Sequence, residues 1–198
     1  MASTIQSPIA LPRRSDSARG SESGIWIALF AITMSFAAFI SALFIRQASS
    51  DWTHIAAPPI LFGSTAVLLI SSLMLDISRR QMGTKSATYI KEGNKGLVFL
   101  AATLFLGLAF VVGQCLAWRN LAAQGLYLAT NPNSSFFYVL TGVHALHVLG
   151  GIAALAYLFL QLVVGNSARR NLVNGVVVYW HFMAALWVFL LVVIWERL

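Results

Sequence analysis

The sequence predicts an all-α membrane protein, a five-transmembrane-helix bundle with its N-terminus cytoplasmic and its C-terminus outside. Three observations carry that reading. The 198 residues are 59% hydrophobic and only 10% charged, with a mean hydropathy of +0.78, whereas a soluble domain usually carries about 25% charged residues. Five stretches, 25–45, 56–75, 97–118, 136–164 and 175–195, contain no Asp, Glu, Lys or Arg. The cations between them fall unevenly. Arg13, Arg14, Arg19, Arg79, Arg80, Lys85, Lys91, Lys95, Arg169 and Arg170 belong to one side, and only Arg46, Arg119 and Arg197 to the other. The positive-inside rule makes the first side cytoplasmic.

Taken in order, residues 1–24 are rich in Ser, Pro and Arg and read as a disordered cytoplasmic tail ahead of a transmembrane domain over 25–198. Asp16 and Glu22 count against an organellar transit peptide. Each span holds the roughly 20 apolar residues that cross a hydrocarbon core about 30 Å thick. All are expected to be helices, because a spanning chain must satisfy its own backbone hydrogen bonds. Pro58 and Pro59 suit the first turn of span two, where a missing N–H costs little. Residues 78–96 form the main cytoplasmic loop. The fourth span exceeds the bilayer and is expected to tilt or protrude. Trp26, Trp118 and Trp195 lie at span ends, as interfacial anchors do.

The net charge of +7 therefore reads as topology and lipid-headgroup contact, with no nucleic-acid partner. Arg79, Arg80, Arg169 and Arg170 are the candidate headgroup contacts. The single cysteine, Cys115, rules out an internal disulfide framework and a multi-Cys metal site, and is expected to be a small packed residue.

The six carboxylates, Asp16, Glu22, Asp51, Asp76, Glu92 and Glu196, all avoid the middle of a span. Proton-coupled carriers usually depend on buried acids, so this chain is a poor candidate for moving protons alone. The paired broken half-helices of many secondary transporters are absent too. Histidines remain as the interior titratable groups. His144 and His147 stand three apart on one helix face, with Thr141 a turn earlier; His181 lies in span five and His54 in an outer loop. Imidazole suits metal and haem, yet no Glu or Cys stands ready to complete a site. Interhelical hydrogen bonding is the stronger reading, with Thr33, Ser35, Thr103 and Thr141 as the neutral groups to meet His144 and His147. Trp180, Ala184 and Trp187 share a face of span five, and the Trp187 indole is too deep for the interface and needs a partner inside the bundle. Gln114 reads as interhelical glue, and Gly107, Gly113, Gly142, Gly150 and Gly151 as sites of close helix approach.

Four segments then carry a resemblance: APPILFGSTAVLLISSL at 57–73, GQCLAWR at 113–119, SFFYVLTGVHALHVLGG at 135–151, and YWHF at 179–182 with Trp187 beyond it. In this order they resemble subunit III of the haem–copper terminal oxidases, the cytochrome c and quinol oxidase family. That family has a seven-helix form and a five-helix bacterial form lacking the first two, and five spans agree with the short form. The resemblance implies a non-catalytic subunit of the bacterial plasma membrane, without haem or copper of its own. It would pack beside subunit I, with subunit II nearby, bind phospholipid, and support proton uptake and stability during turnover in aerobic respiration. The ending QCLAW is closer to cytochrome c oxidases than to quinol oxidases. A nitric oxide reductase accessory subunit would carry a similar pattern. Readings of another class are a small b-type haem carrier using His144 or His147 with His181, and a transporter of a neutral substrate.

Two positions depart from the family's pattern. Ile32 stands where a span-one helix of the family carries a buried Glu, and Met183-Ala184 follows YWHF where Val-Asp is common. Functions tied to those acids do not transfer. Without an acid partner, and buried, His144 and His147 are expected to be neutral. Hydrophobic carbodiimides, which react with buried carboxyl groups, are accordingly expected to label no membrane-embedded peptide. Peptide mapping after treatment checks this, and stoichiometric labelling of any span would contradict it.

Overall fold

The computed structural model describes residues 16–48, 58–85, 88–90, 95–165 and 168–197. Five long apolar helices, each able to cross a membrane, form the molecule: α1 (Asp16–Arg46), α2 (Ile60–Arg80), α3 (Lys95–Ala123), α4 (Pro132–Val163) and α5 (Arg170–Arg197). Helix α1 starts earlier than the expected boundary at residue 25. Residues 16–24, read from sequence as part of a disordered tail, are its first turns. No proline follows Pro12 before the span, and helix propagation is cheap once a nucleus exists. Residues 1–15 and His54 lie outside the described residues.

Helix α4 starts on a local signal. The Asn131 side chain accepts from the Ser134 N–H at 2.7 Å, Ser134 answers the Asn131 N–H, and Pro132 takes a first-turn position. At 32 residues it rises roughly 48 Å, well beyond a 30 Å hydrocarbon core. The loops contain an element that hydropathy does not reveal. Strands β1 (Gly83–Lys85), β2 (Thr88–Ile90) and β3 (Ala168–Arg169) form a small antiparallel sheet in the order β1-β2-β3. Thr84 pairs with Tyr89, and Tyr89 in turn with Ala168. The sheet lies outside the five spans and ties the α2–α3 connection to the α4–α5 connection at one end of the bundle. At the opposite end the Gln47 amide reaches the Arg197 carbonyl at 3.4 Å, and the Arg197 guanidinium sits 4.9 Å over the Phe44 ring.

Helices α2 and α3 pack along most of their length, α5 touches α1, α2 and α4, and α1 packs chiefly on α5 and α4. The α2–α3 seam is polar as well as apolar. Ser64, Ser71 and Ser78 recur every seven residues on α2, all buried. Ser78 donates to the Gly96 carbonyl at 2.7 Å, Ser71 to the Thr103 carbonyl at 3.1 Å, and Ser64 accepts from the Gln114 amide at 3.3 Å. A seven-residue repeat keeps one face toward a partner helix, and short hydroxyl side chains let the two backbones approach.

Glycine sets the other close contacts. The Trp180 indole is clamped between α3 and α4: a Cβ on Gly107 would lie 2.8 Å from it, and one on Gly151 3.0 Å. Held from both sides, the ring has nowhere to retreat. Gly107→Ala is therefore expected to destabilise the bundle by about 1–3 kcal/mol. Gly142→Ala, where nothing lies within 4 Å, is expected to be neutral or slightly stabilising. Thermal unfolding of both variants in the same detergent makes the comparison.

Candidate functional site

The interior polar residues converge on the middle of the bundle. Helix α4 directs Thr141 and His144 inward and leaves His147 half-buried. The His144 ring is fully enclosed by aromatic side chains from three other helices. Trp187 of α5 lies tilted against it, with centroids 4.9 Å apart and planes at 33°. Phe110 of α3 meets it edge-on at 6.0 Å, and Phe36 of α1 at 6.4 Å. Phe36 also touches His147, with centroids 6.0 Å apart.

The hydroxyls expected to meet these histidines do not. Thr33, Ser35, Thr103 and Thr141 donate to the carbonyls of Leu29, Ala31, Phe99 and Phe137 respectively, each four residues back on its own helix. In an apolar helix the nearest acceptor for a hydroxyl is that carbonyl. His147 Nδ1 makes the same kind of bond to Val143 O at 2.8 Å, and His181 Nδ1 to Val177 O at 2.9 Å. A carbonyl only accepts, so Nδ1 carries the proton in both rings. The interhelical bonding expected of the histidines is thus replaced by bonds within each helix, and neither His144 nitrogen has a hydrogen-bond partner.

Interhelical bonds come instead from indoles, phenols, an amide and the α2 serines. Trp187 Nε1 donates to Thr65 Oγ1 on α2 at 2.8 Å, and Trp118 Nε1 to Thr141 Oγ1 at 3.0 Å. The Tyr179 hydroxyl donates to the His147 carbonyl, and the Tyr138 hydroxyl lies within reach of the Trp118 and Leu126 carbonyls. Sequence reasoning did not find Ser71, Ser78 or the two tyrosines; the seven-residue serine spacing was the available signal. Gln114 is buried and bonded to Ser64, whereas Trp180 is buried with its Nε1 unpaired. Cys115, expected to be packed, is exposed, because its neighbour Gln114 takes the inward position about 100° away on α3.

The candidate headgroup cations are spread out. Arg79 and Arg80 stand at the C-terminus of α2, each near Asp76, at 3.4 and 3.9 Å. Arg170 is exposed at the start of α5, and the Arg169 side chain lies outside the described residues. Between the last turns of α1 and the first turns of α4, an open cavity of about 570 Å³ is lined by Ala42, Ile45, Arg46, Pro132, Ser135 and Phe136. Among the described residues, no three of His, Cys, Asp and Glu come together. The centre is one of aromatic packing and neutral hydrogen bonding.

Comparison with known proteins places this architecture. The family described as cytochrome c oxidase subunit III matches residues 15–197, all five helices. The chain belongs to that family. "Probable cytochrome c oxidase subunit 3" of Mycobacterium tuberculosis is 30% identical over 167 residues, 81% of this chain and 77% of that protein. "Probable quinol oxidase subunit 3" of Staphylococcus saprophyticus is 25% identical over 187 residues, 91% and 90% of the two chains. "Heme-copper oxidase subunit I+III" of Aeropyrum pernix is 27% identical over 173 residues, 83% of this chain and 21% of that protein. The two positions where the resemblance implied an acid are interior: Ile32 is buried one turn before Phe36, and Ala184 is buried one turn after Trp180.

Thr65 is the acceptor for the buried Trp187 indole. Thr65→Val is expected to cost about 1–3 kcal/mol by stranding the Trp187 N–H. Thr33→Val, which removes only a bond within α1, is expected to cost less than about 0.5 kcal/mol. Chemical or thermal unfolding of the pair measures the difference.

Proposed function

We propose that this chain is the non-catalytic subunit III of a bacterial aerobic respiratory oxidase of the cytochrome c type, held in the plasma membrane against subunit I. The observation that carries the proposal is the family match across all five helices, together with a relative whose name joins subunits I and III in one protein. Dioxygen reduction and its coupling to proton translocation belong to the partner, where haem and copper are expected. This chain contributes a rigid apolar surface and support during turnover. The uneven distribution of cations favours a cytoplasmic N-terminus and an outer C-terminus. Phospholipid is the ligand expected of the chain itself. The cavity at Arg46 supports that expectation, since it combines an apolar wall with one guanidinium near a helix end.

A quinol oxidase is the second reading, favoured by the Staphylococcus relative that aligns over nearly its whole length. Both readings are tested on one preparation. Affinity-tagged full-length chain, extracted in mild detergent from the membranes of its own organism, is expected to bring down a haem–copper subunit I and to show the partner's haem spectrum. The complex is expected to oxidise reduced cytochrome c; oxidation of quinol alone would select the second reading. A chain that purifies by itself with bound haem would refute both.

A further inference from the structure

Helix α5 carries an imidazole on its outer surface at mid-bilayer depth. Val178, His181, Ala185, Val188 and Val192 follow alternating steps of three and four, and so form one seam along the helix. The seam is turned away from the buried face that holds Trp180, Met183 and Trp187. Val178 and Val188 are 37% exposed and Val192 49%; Ala185 is exposed and His181 partly so. His181 stands four residues, about 6 Å, from the centre of the uncharged stretch 175–195. That is well inside a hydrocarbon core about 30 Å thick.

The hydrogen bonding of the ring decides what covers it. Nδ1–H goes to the Val177 carbonyl at 2.9 Å, so in a neutral ring Nε2 keeps a lone pair and can only accept. Nε2 is at the far side of the ring from that bond and is not one of the polar atoms enclosed by the bundle. It therefore opens on the outer surface of α5. Acyl chains hold no donor, and the hydrocarbon core holds no water to take their place. Histidines within spans accordingly face protein or a water-filled cavity. The rest of the seam suits a protein neighbour too. A seven-residue repeat returns the same face to a second helix turn after turn, and Val and Ala let that helix come close. The outer surface of α3 differs, presenting Phe105 and Leu108 at 72% and 50% exposed.

We propose that the Val178–Val192 seam of α5 seats a transmembrane helix of subunit I, with a hydroxyl, amide or indole donor of that helix bonded to His181 Nε2. The assignment rests on the reading of this chain as subunit III, and adds to it the face that docks and its polar anchor. Both nitrogens of the ring are then satisfied, one within α5 and one across the interface.

Two experiments on the complex purified from its own membranes test the assignment. In the first, a diazirine amino acid of about leucine's size replaces Val188 in one preparation and Leu108 in another. Illumination is expected to join this chain to subunit I from Val188 and not from Leu108. A yield from Val188 no higher than from Leu108, or an adduct from Val188 with any other chain, overturns the assignment while leaving the subunit III reading intact. Absence of subunit I from both preparations refutes that reading and the assignment together. In the second, the ratio of this chain to subunit I is followed through detergent washing. His181→Leu is expected to weaken retention roughly 2- to 10-fold, the effect of one lost hydrogen bond, and His181→Gln, which keeps an acceptor, to restore most of it. Equal retention of the unaltered and His181→Leu chains overturns the anchor. Should the leucine variant fail to fold, the crosslinking of the chain with His181 in place still decides.

Discussion

The bundle depends on a hub at one carbonyl of α2. Leu61 O accepts from Ser64 Oγ at 3.0 Å and from Thr65 Oγ1 at 2.6 Å. With their protons committed to that carbonyl, the two hydroxyl oxygens turn their lone pairs outward as acceptors. Ser64 takes the Gln114 amide of α3, and Thr65 takes the Trp187 indole of α5. Three helices are joined through four side chains and one carbonyl, all within a single turn of α2. In hydrocarbon, water does not compete for these groups, so a glutamine and a tryptophan buried there must find partners inside the protein. Gly113 completes the arrangement, since a Cβ at that position would fall 2.9 Å from the Ser64 Cβ. The close approach of α2 and α3 and the polar hub impose the same register.

The aromatic centre follows from that register. Trp187, held by its N–H, packs its ring at a tilt against His144, and Phe110 makes T-shaped contacts with both rings. Phe36 reaches into the same cluster from α1, which otherwise has modest contact with the bundle. Lipid chains are as apolar as the helix surfaces, so burial alone gives little preference for helix over lipid. Shape, aromatic geometry and the Gln47–Arg197 and Phe44–Arg197 contacts at one end hold α1 in place instead.

Hydropathy and charge locate all five spans, because the bilayer sets a length and excludes ions, and both conditions are written in composition. The need of the Trp187 indole for an interior partner is also legible, since its depth follows from its place in the span. The identity of that partner is not: Thr65 is one of several hydroxyls on α2, and a hydroxyl-bearing face does not by itself say which neighbouring helix it meets. The hydroxyls chosen for His144 fail for a local reason. Each of those four has a carbonyl of its own helix within reach and takes it, whereas Ser71 and Ser78, at the close α2–α3 seam, reach carbonyls of α3. The early start of α1 and the small sheet escape detection because both lie where the bilayer no longer dictates the pattern. Three-residue strands depend on which loops meet, and that is settled by the packing of the helices.

The missing acids bear on what this subunit does for its complex. Ile32 and Ala184 are both packed inside, so neither position offers a solvated place for a charge. A carboxylate at Ile32 would lie one turn from Phe36 and near the His144–His147 surface, where it would need an imidazolium or a hydrogen-bond donor to be tolerated. In this chain His147 turns its Nδ1–H to Val143, and His144 is packed among the rings of Phe36, Phe110 and Trp187. The interior is consequently uncharged throughout the described spans, and its geometry is set by neutral hydrogen bonds and ring packing.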